Sequence, residues 1–146
     1  KLTQRFGNNN NYINNTTMNI DGNRIKVNKS AKNLFEFLIK LENFEQLMPE
    51  NTEKFEVDGE SFIFGLKGMP EIRLVMKEKT EYSNVTLGAA SSKLPFTLSA
   101  DIEEISNNES NTQLKFESSF NPMMAMMVKK PLTKFIDTLT ENLEKL

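Results

Sequence analysis

The sequence contains no cysteine, no histidine and no tryptophan. Without cysteine, the 146-residue chain has no disulfide, no thiolate nucleophile and no cysteine-based zinc or iron–sulfur site. Without histidine, it has no imidazole that could act as an acid–base catalyst or ligate a metal. Most familiar catalytic constellations are therefore excluded. We expect no catalytic residue, no metal site and no cofactor.

An excess of charge of one sign is also missing, since 18 Lys and Arg stand against 20 Asp and Glu. Nucleic-acid binding needs a basic surface, so we expect no nucleic acid as a partner. No apolar run approaches the roughly 20 residues of a membrane-spanning helix, and the N-terminus has no apolar core of a signal peptide. These absences predict a cytoplasmic protein without stable membrane insertion.

The apolar residues that are present are unusual, because they include eleven Phe and eight Met but only two Tyr. Phe is a large rigid side chain, whereas Met is flexible and fills irregular space. Such a mixture suits a protein that binds an apolar ligand. An ordinary core also uses it, and composition alone favours the ordinary core.

The N-terminal segment 1–17 is rich in Asn and poor in hydrophobic residues. This composition is typical of a flexible extension, which cannot bury enough apolar surface to fold. Patterned sequence begins at Met18, and a length near 130 residues fits one domain. We therefore predict a flexible extension over 1–17 and a single domain over 18–146.

The first part of the domain changes from strand to helix spacing. Residues 18–28 alternate as a short strand, with a turn or bulge at Asp21-Gly22. Ser30 is a suitable N-cap, and residues 31–48 carry apolar side chains at helical spacing. We expect this stretch to break near Glu42 into two short helices.

The remainder of the domain is a long run of strands followed by one helix. Segments between 55 and 120 alternate apolar and polar residues, as in an antiparallel sheet with one buried face. Asp58-Gly59 predicts a hairpin turn between the first two of these segments. From Asn121, a suitable N-cap, the apolar residues recur every three or four positions. Pro131 lies inside this helical pattern and should kink or split the helix.

This order of elements resembles the helix-grip fold, an α+β fold in which a curved antiparallel sheet wraps around a long C-terminal helix. The resemblance is to the START-like (SRPBCC) superfamily, and within it to small stand-alone bacterial proteins described as polyketide cyclase/dehydrase-like or orphan START proteins. The segments that carry it are VNKSAKNLFEFLIKLENFEQLMP (27–49) and FNPMMAMMVKKPLTKFIDTLTENLEKL (120–146). It implies about six to seven strands, with two short helices after the first.

The resemblance also implies a ligand cavity between the sheet and the C-terminal helix. Ten strand residues of one parity would line it, together with four residues of the helix. The strand residues are Phe62, Phe64, Leu66, Leu74, Met76, Leu87, Phe96, Leu98, Phe116 and Phe120. The helix residues are Met123, Met124, Met127 and Val128. The simpler alternative is that the same side chains only pack the core, each stabilising the fold by roughly 1.5–3 kcal/mol.

Few polar residues fall near this expected cavity. Ser118 shares the parity of the apolar strand residues and could offer its hydroxyl to a ligand, although we favour the simpler alternative of a small residue beside the helix whose hydroxyl is already hydrogen-bonded. Arg73, Glu78 and Tyr82 are candidates for the cavity mouth, although solvated positions on the strands explain each of them better. Lys129-Lys130 could contact an anionic membrane or an acidic partner, or be an ordinary solvated helix face.

Three functions follow, in decreasing order of support. The first is binding or carrying a hydrophobic small molecule, such as a lipid, a polyketide-like or an isoprenoid-like compound, in the cavity. The second is a cyclase- or dehydrase-like enzyme, which would require Arg73, Glu78, Tyr82 or Ser118 to converge in the cavity. The third is a protein-interaction module whose cavity is filled by its own Phe side chains. Fold alone does not choose among them.

Overall fold

The computed structural model describes residues 16–91 and 95–146. Within them, the eight strands are β1 (Thr16–Asp21), β2 (Ile25–Val27), β3 (Thr52–Asp58), β4 (Ser61–Leu66), β5 (Ile72–Thr80), β6 (Asn84–Ala89), β7 (Phe96–Ser106) and β8 (Glu109–Phe120). The helices are α1 (Ala31–Ile39), a 3₁₀ helix (Leu41–Leu47) and α2 (Pro122–Glu144). Residues 1–15 of the predicted extension lie outside the described residues, and its last two residues belong to β1.

All strands join one antiparallel sheet with the order β1-β8-β7-β6-β5-β4-β3, and β2 also pairs with β8. The predicted single strand over 18–28 is therefore two strands that pair with consecutive parts of β8. Gly22 lies between them, and its amide donates to the carbonyl of Leu114 over 2.8 Å. This division accounts for eight strands where six to seven are predicted.

The helices begin where the sequence predicts them, and for the predicted reason. The Ser30 hydroxyl accepts from the Asn33 amide at the start of α1, and the Asn121 side chain accepts from the Met124 amide at the start of α2. The expected break after α1 falls at Lys40. α2 is continuous through Pro131, so this proline does not split the helix.

The core lies between one face of the sheet and the three helices. Its sheet residues have the predicted parity, as seen at Phe62, Phe64 and Leu74, which are all buried. The Phe64 and Phe135 rings stack at a centroid distance of 5.1 Å and join β4 to α2. The Asp58-Gly59 turn is confirmed, since Gly59 takes the positive φ of 63° that a tight hairpin requires. Sheet and helix together confirm the α+β helix-grip architecture.

The two halves of α2 are buried to different extents. Six residues of the second half are buried in the core: Leu132, Phe135, Ile136, Leu139, Thr140 and Leu143. In the first half, residues 122–131, every side chain is exposed or half-buried. Among the described helices, none is long and apolar enough to cross a bilayer.

A candidate apolar binding cavity

A partly enclosed cavity lies between the sheet and α2, where the resemblance implies one. Every side chain that lines it is apolar. The lining comes from β4 and β5, from the loop between them, from β7 and β8, and from α2. The residues are Phe64, Met69, Pro70, Ile72, Leu74, Phe96, Leu98, Phe116, Phe120, Met124, Val128, Leu132 and Phe135.

The cavity has a volume of about 70 Å³. This exceeds the roughly 10–15 Å³ that one water needs, but an apolar cavity offers water no hydrogen-bond partner and stays dry. Pockets that hold drug-sized ligands usually measure about 300–1,000 Å³. In this conformation, the cavity therefore accommodates only a small part of such a ligand.

Aromatic packing explains why the cavity is small. The Phe96 and Phe116 rings stack at a centroid distance of 5.2 Å on neighbouring strands. Phe62 contacts three other rings, those of Phe44, Phe55 and Phe64, at 5.1–6.0 Å. These phenylalanine rings fill most of the space between the sheet and the helices. The cavity that remains lies beside the half-buried residues of α2.

Eight of the fifteen residues predicted to bind a ligand line this cavity: Phe64, Leu74, Phe96, Leu98, Phe116, Phe120, Met124 and Val128. Phe62 lies in the aromatic core, and Leu66 lines a separate groove beside the β4–β5 loop. Leu87 lines a second, very small void, and Met76 packs half-buried against the core. Ser118 is buried, and its hydroxyl donates to the Met18 carbonyl over 3.3 Å.

Two predicted positions on α2 need correction. Met123 and Met127 are exposed and do not line the cavity. Successive helix residues differ by about 100° around the axis, so each of these side chains is a quarter-turn away from its inward-facing neighbour, Met124 or Val128. Neighbouring residues of a helix cannot all face the same cavity, so the prediction that these four residues line it together is wrong for Met123 and Met127.

Five lining residues are absent from the predicted set. Leu132 and Phe135 continue the apolar stripe of α2, so helical periodicity could have found them. Ile72 shares the parity of Leu74 and could have been found in the same way. Met69 and Pro70 belong to an irregular loop, where no periodic pattern indicates which side chains turn inward.

The polar candidates do not converge on the cavity. Arg73, Glu78 and Tyr82 are exposed, and the Arg73 guanidinium donates to the Ser61 hydroxyl over 2.8 Å. The β-bulge between Met76 and Glu78 changes the register of β5, so parity counted from Leu74 fails beyond it. Together with Ser118, already bonded to a backbone carbonyl, these residues form no shared polar site.

Charged groups lie away from the cavity as well. Lys115 and Asp101 pair at 3.1 Å on the face of the sheet opposite the helices. The hydrogen bond and the charge of Asp101 raise the pKa of Lys115 above its ordinary value. Among residues 16–91 and 95–146, no group of three or more carboxylates is arranged to hold a metal ion.

A larger depression of about 710 Å³ lies around residues of β1, β5, β6, β7 and β8 that include Thr17, Lys77, Thr97 and Glu117. It is open to solvent and lacks the enclosing walls that usually bury most of a small ligand. We therefore take the apolar cavity as the candidate site.

Several solved structures share this fold. Norcoclaurine synthase from Thalictrum flavum, in complex with dopamine and hydroxybenzaldehyde, is similar with a TM-score of 0.68 at 12% identity, covering 92% of this chain and 88% of that chain. A START superfamily protein from Mycobacterium smegmatis gives 0.67 at 13% identity, covering 88% and 94%. The di-domain ARO/CYC StfQ from the steffimycin biosynthetic pathway gives 0.68 at 6% identity, covering 99% and 54%.

A scan against models of protein families and a search of curated proteins found no match. At identities of 6–13%, the similarity to solved structures establishes architecture and leaves chemistry to be argued from the site. The resemblance found in the sequence is confirmed at that level: the chain has the helix-grip fold of the START-like proteins.

Proposed function

We propose that the protein binds a small hydrophobic molecule, or the hydrocarbon part of a larger one, between the sheet and α2. The observation that carries this proposal is the cavity lining, which is apolar at every position and adjoins the least buried half of α2. Burial of apolar ligand surface would supply the binding free energy, at roughly 25 cal/mol per Å². The polar part of an amphipathic ligand would remain outside.

The small volume requires that the cavity enlarge when a ligand enters. Met124 and Val128 line it from the half of α2 that has no fully buried residue. A groove of about 190 Å³ on the other side of Met69 and Phe135 separates the β4–β5 loop from α2. Displacement of this helical segment and loop would join the two spaces without disturbing the buried half of α2. Pro131 lies at the boundary and offers a hinge.

Native mass spectrometry of freshly purified protein, with organic extraction of the same sample, tests the proposal. We expect a discrete added mass that extraction removes, or saturable binding of probes from a panel of saturated fatty acids and quinones. A clean unliganded mass without saturable binding of any probe would contradict it.

A pair of variants locates the binding site. Val128→Phe should weaken probe binding at least about tenfold, because the larger ring occupies the cavity. Met127→Phe places the same ring at the neighbouring exposed position and should bind as the unmodified chain does. Equal binding by both variants would show that the probe binds elsewhere.

One observation favours a second candidate, a protein-interaction module with a self-filled cavity. The Phe rings already occupy most of the space, and about 70 Å³ remains. This candidate predicts no probe binding and a stoichiometric complex with a protein partner. The enzyme alternative has no comparable support, because its polar candidates lie apart from one another and from the cavity.

A further inference from the structure

The outer surface of α2 exposes three methionines close together. Met123, Met126 and Met127 are 73%, 83% and 67% exposed. Among the described residues, the next most exposed large hydrophobic side chain is Ile105, at 47%. Met side chains are normally buried, so three neighbouring exposed ones mark a surface with a partner.

The charged residues that follow these methionines on α2, up to position 136, are all lysines. Lys129, Lys130 and Lys134 are exposed, and the segment 121–136 contains no Asp or Glu. Within the described part of the chain, none of these three lysines forms an ion pair with a carboxylate. A local charge of +3 thus stands on a chain whose formal net charge is −2.

Helical geometry places the methionines and two of the lysines on one side of α2. Positions 123, 127, 130 and 134 follow steps of four, three and four, and 126 adjoins them. We name this surface, Met123, Met126, Met127, Lys130 and Lys134, the methionine–lysine face. At a rise of 1.5 Å per residue, its methionines precede its lysines by about 10 Å along the axis.

We propose that the methionine–lysine face docks on the surface of an anionic lipid bilayer. Its apolar end is suited to the boundary between headgroups and acyl chains, and lysines can extend to lipid phosphates. Each lysine near an anionic surface contributes to attraction that salt screens. Exposed methionines followed by lysines on one side of a helix match the acyl boundary and the anionic headgroups of a bilayer, which favours a lipid surface over a folded protein. Docking does not depend on a ligand in the cavity.

Vesicle flotation of the full chain tests this inference. Vesicles of phosphatidylcholine alone are compared with vesicles that contain one-third phosphatidylglycerol, at low and at high salt. We expect binding to the anionic vesicles at low salt, and at least about tenfold weaker binding either at high salt or without the anionic lipid. Absence of binding to anionic vesicles at low salt would overturn the proposal.

Variants on the exposed surface then locate the contact. Met123→Asp combined with Met127→Asp, and separately Lys130→Glu combined with Lys134→Glu, should each weaken vesicle binding at least about tenfold. Ile105→Asp is the matched control, since it also replaces an exposed hydrophobic residue with a carboxylate but lies on β7. It should bind vesicles as the unmodified chain does.

Circular dichroism and thermal melting confirm that each variant is folded. Unchanged vesicle binding by folded variants of the methionine–lysine face would overturn the proposal even if the unmodified chain binds. Val128→Phe separates this inference from the proposed ligand binding, because it should retain vesicle binding while losing the probe.

Discussion

The two halves of α2 share one helix but differ in how the rest of the molecule covers them. The second half contributes six buried residues to the core and contacts the backbone of the β1–β2 connection near Gly22. The first half, residues 122–131, covers the cavity with Met124 and Val128 and exposes three methionines on its outer side. Pro131 separates the halves.

This difference indicates that the second half of α2 anchors the helix in the core, whereas the first half covers the cavity and is freer to move. Tertiary packing, more than intrinsic propensity, holds helices in proteins, so the second half is anchored and the first half is held more weakly. A weakly held segment can move by local opening at a small cost in free energy. The same segment covers the candidate cavity, whose lining is apolar at every position and includes α2 residues from both halves.

The largest expected difference between the two halves is in the free energy of unfolding that is lost when an inward-facing side chain is truncated to alanine. Leu139→Ala should lower the free energy of unfolding by about 2–5 kcal/mol, because Leu139 is fully buried and its truncation leaves a cavity in the core. Met124→Ala should cost less than about 1.5 kcal/mol, since its side chain is half-buried beside an existing void. Urea unfolding of both variants measures the difference. Equal losses in the free energy of unfolding would contradict the conclusion that the second half of α2 is held more tightly than the first.

Gly22→Ala tests how closely the anchored half approaches the sheet. A Cβ at Gly22 would lie 2.8 Å from the Thr140 hydroxyl oxygen and 3.2 Å from Cγ2 of Ile136. The helix would have to shift, so we expect a loss of about 1–3 kcal/mol in the free energy of unfolding. Thr140→Ala in the same background should recover part of it by removing the hydroxyl. If Thr140→Ala recovers no stability, the Thr140 hydroxyl is not the group that the new Cβ contacts.

Pro131→Ala should have the smallest effect and a local one. Proline has no amide hydrogen, so the Met127 carbonyl lacks its intrahelical donor, and alanine restores it. We expect a gain of about 1 kcal/mol and amide exchange about fivefold slower between 124 and 130. Hydrogen exchange with mass spectrometry measures this directly. Strong, uniform protection from 124 to 139 in the unmodified chain would contradict the role of Pro131 as a hinge.

The fold could be predicted because its signals are local and repeated. Caps at Ser30 and Asn121, the Asp58-Gly59 turn and strict alternation in β8 each depend on a few neighbouring residues. The division of the first strand could not be predicted in the same way. It depends on the Gly22 amide meeting Leu114, more than 90 positions along the chain.

The cavity was less predictable, because it depends on how elements are rotated and how tightly they pack. Strand parity placed Phe64, Leu98 and Phe116 correctly, since a strand has only two faces. A helix presents side chains all around its axis, so a small error in the inward direction is enough to place Met123 in the cavity when it is in fact exposed. The volume that aromatic rings leave unfilled depends on their mutual orientation, which no spacing of residues in the sequence specifies.

The absence of any polar side chain from the cavity lining has a consequence for selectivity. A site whose side chains offer no hydrogen-bond donor or acceptor loses no hydrogen bond when one apolar ligand replaces another. Such a site discriminates between ligands by their length and width. In a homologous series, each added methylene that enters the cavity contributes about 0.8 kcal/mol, or roughly a fourfold gain in affinity. The series would stop gaining where the chain outgrows the space that α2 can vacate, and that limit would measure how far the helix moves.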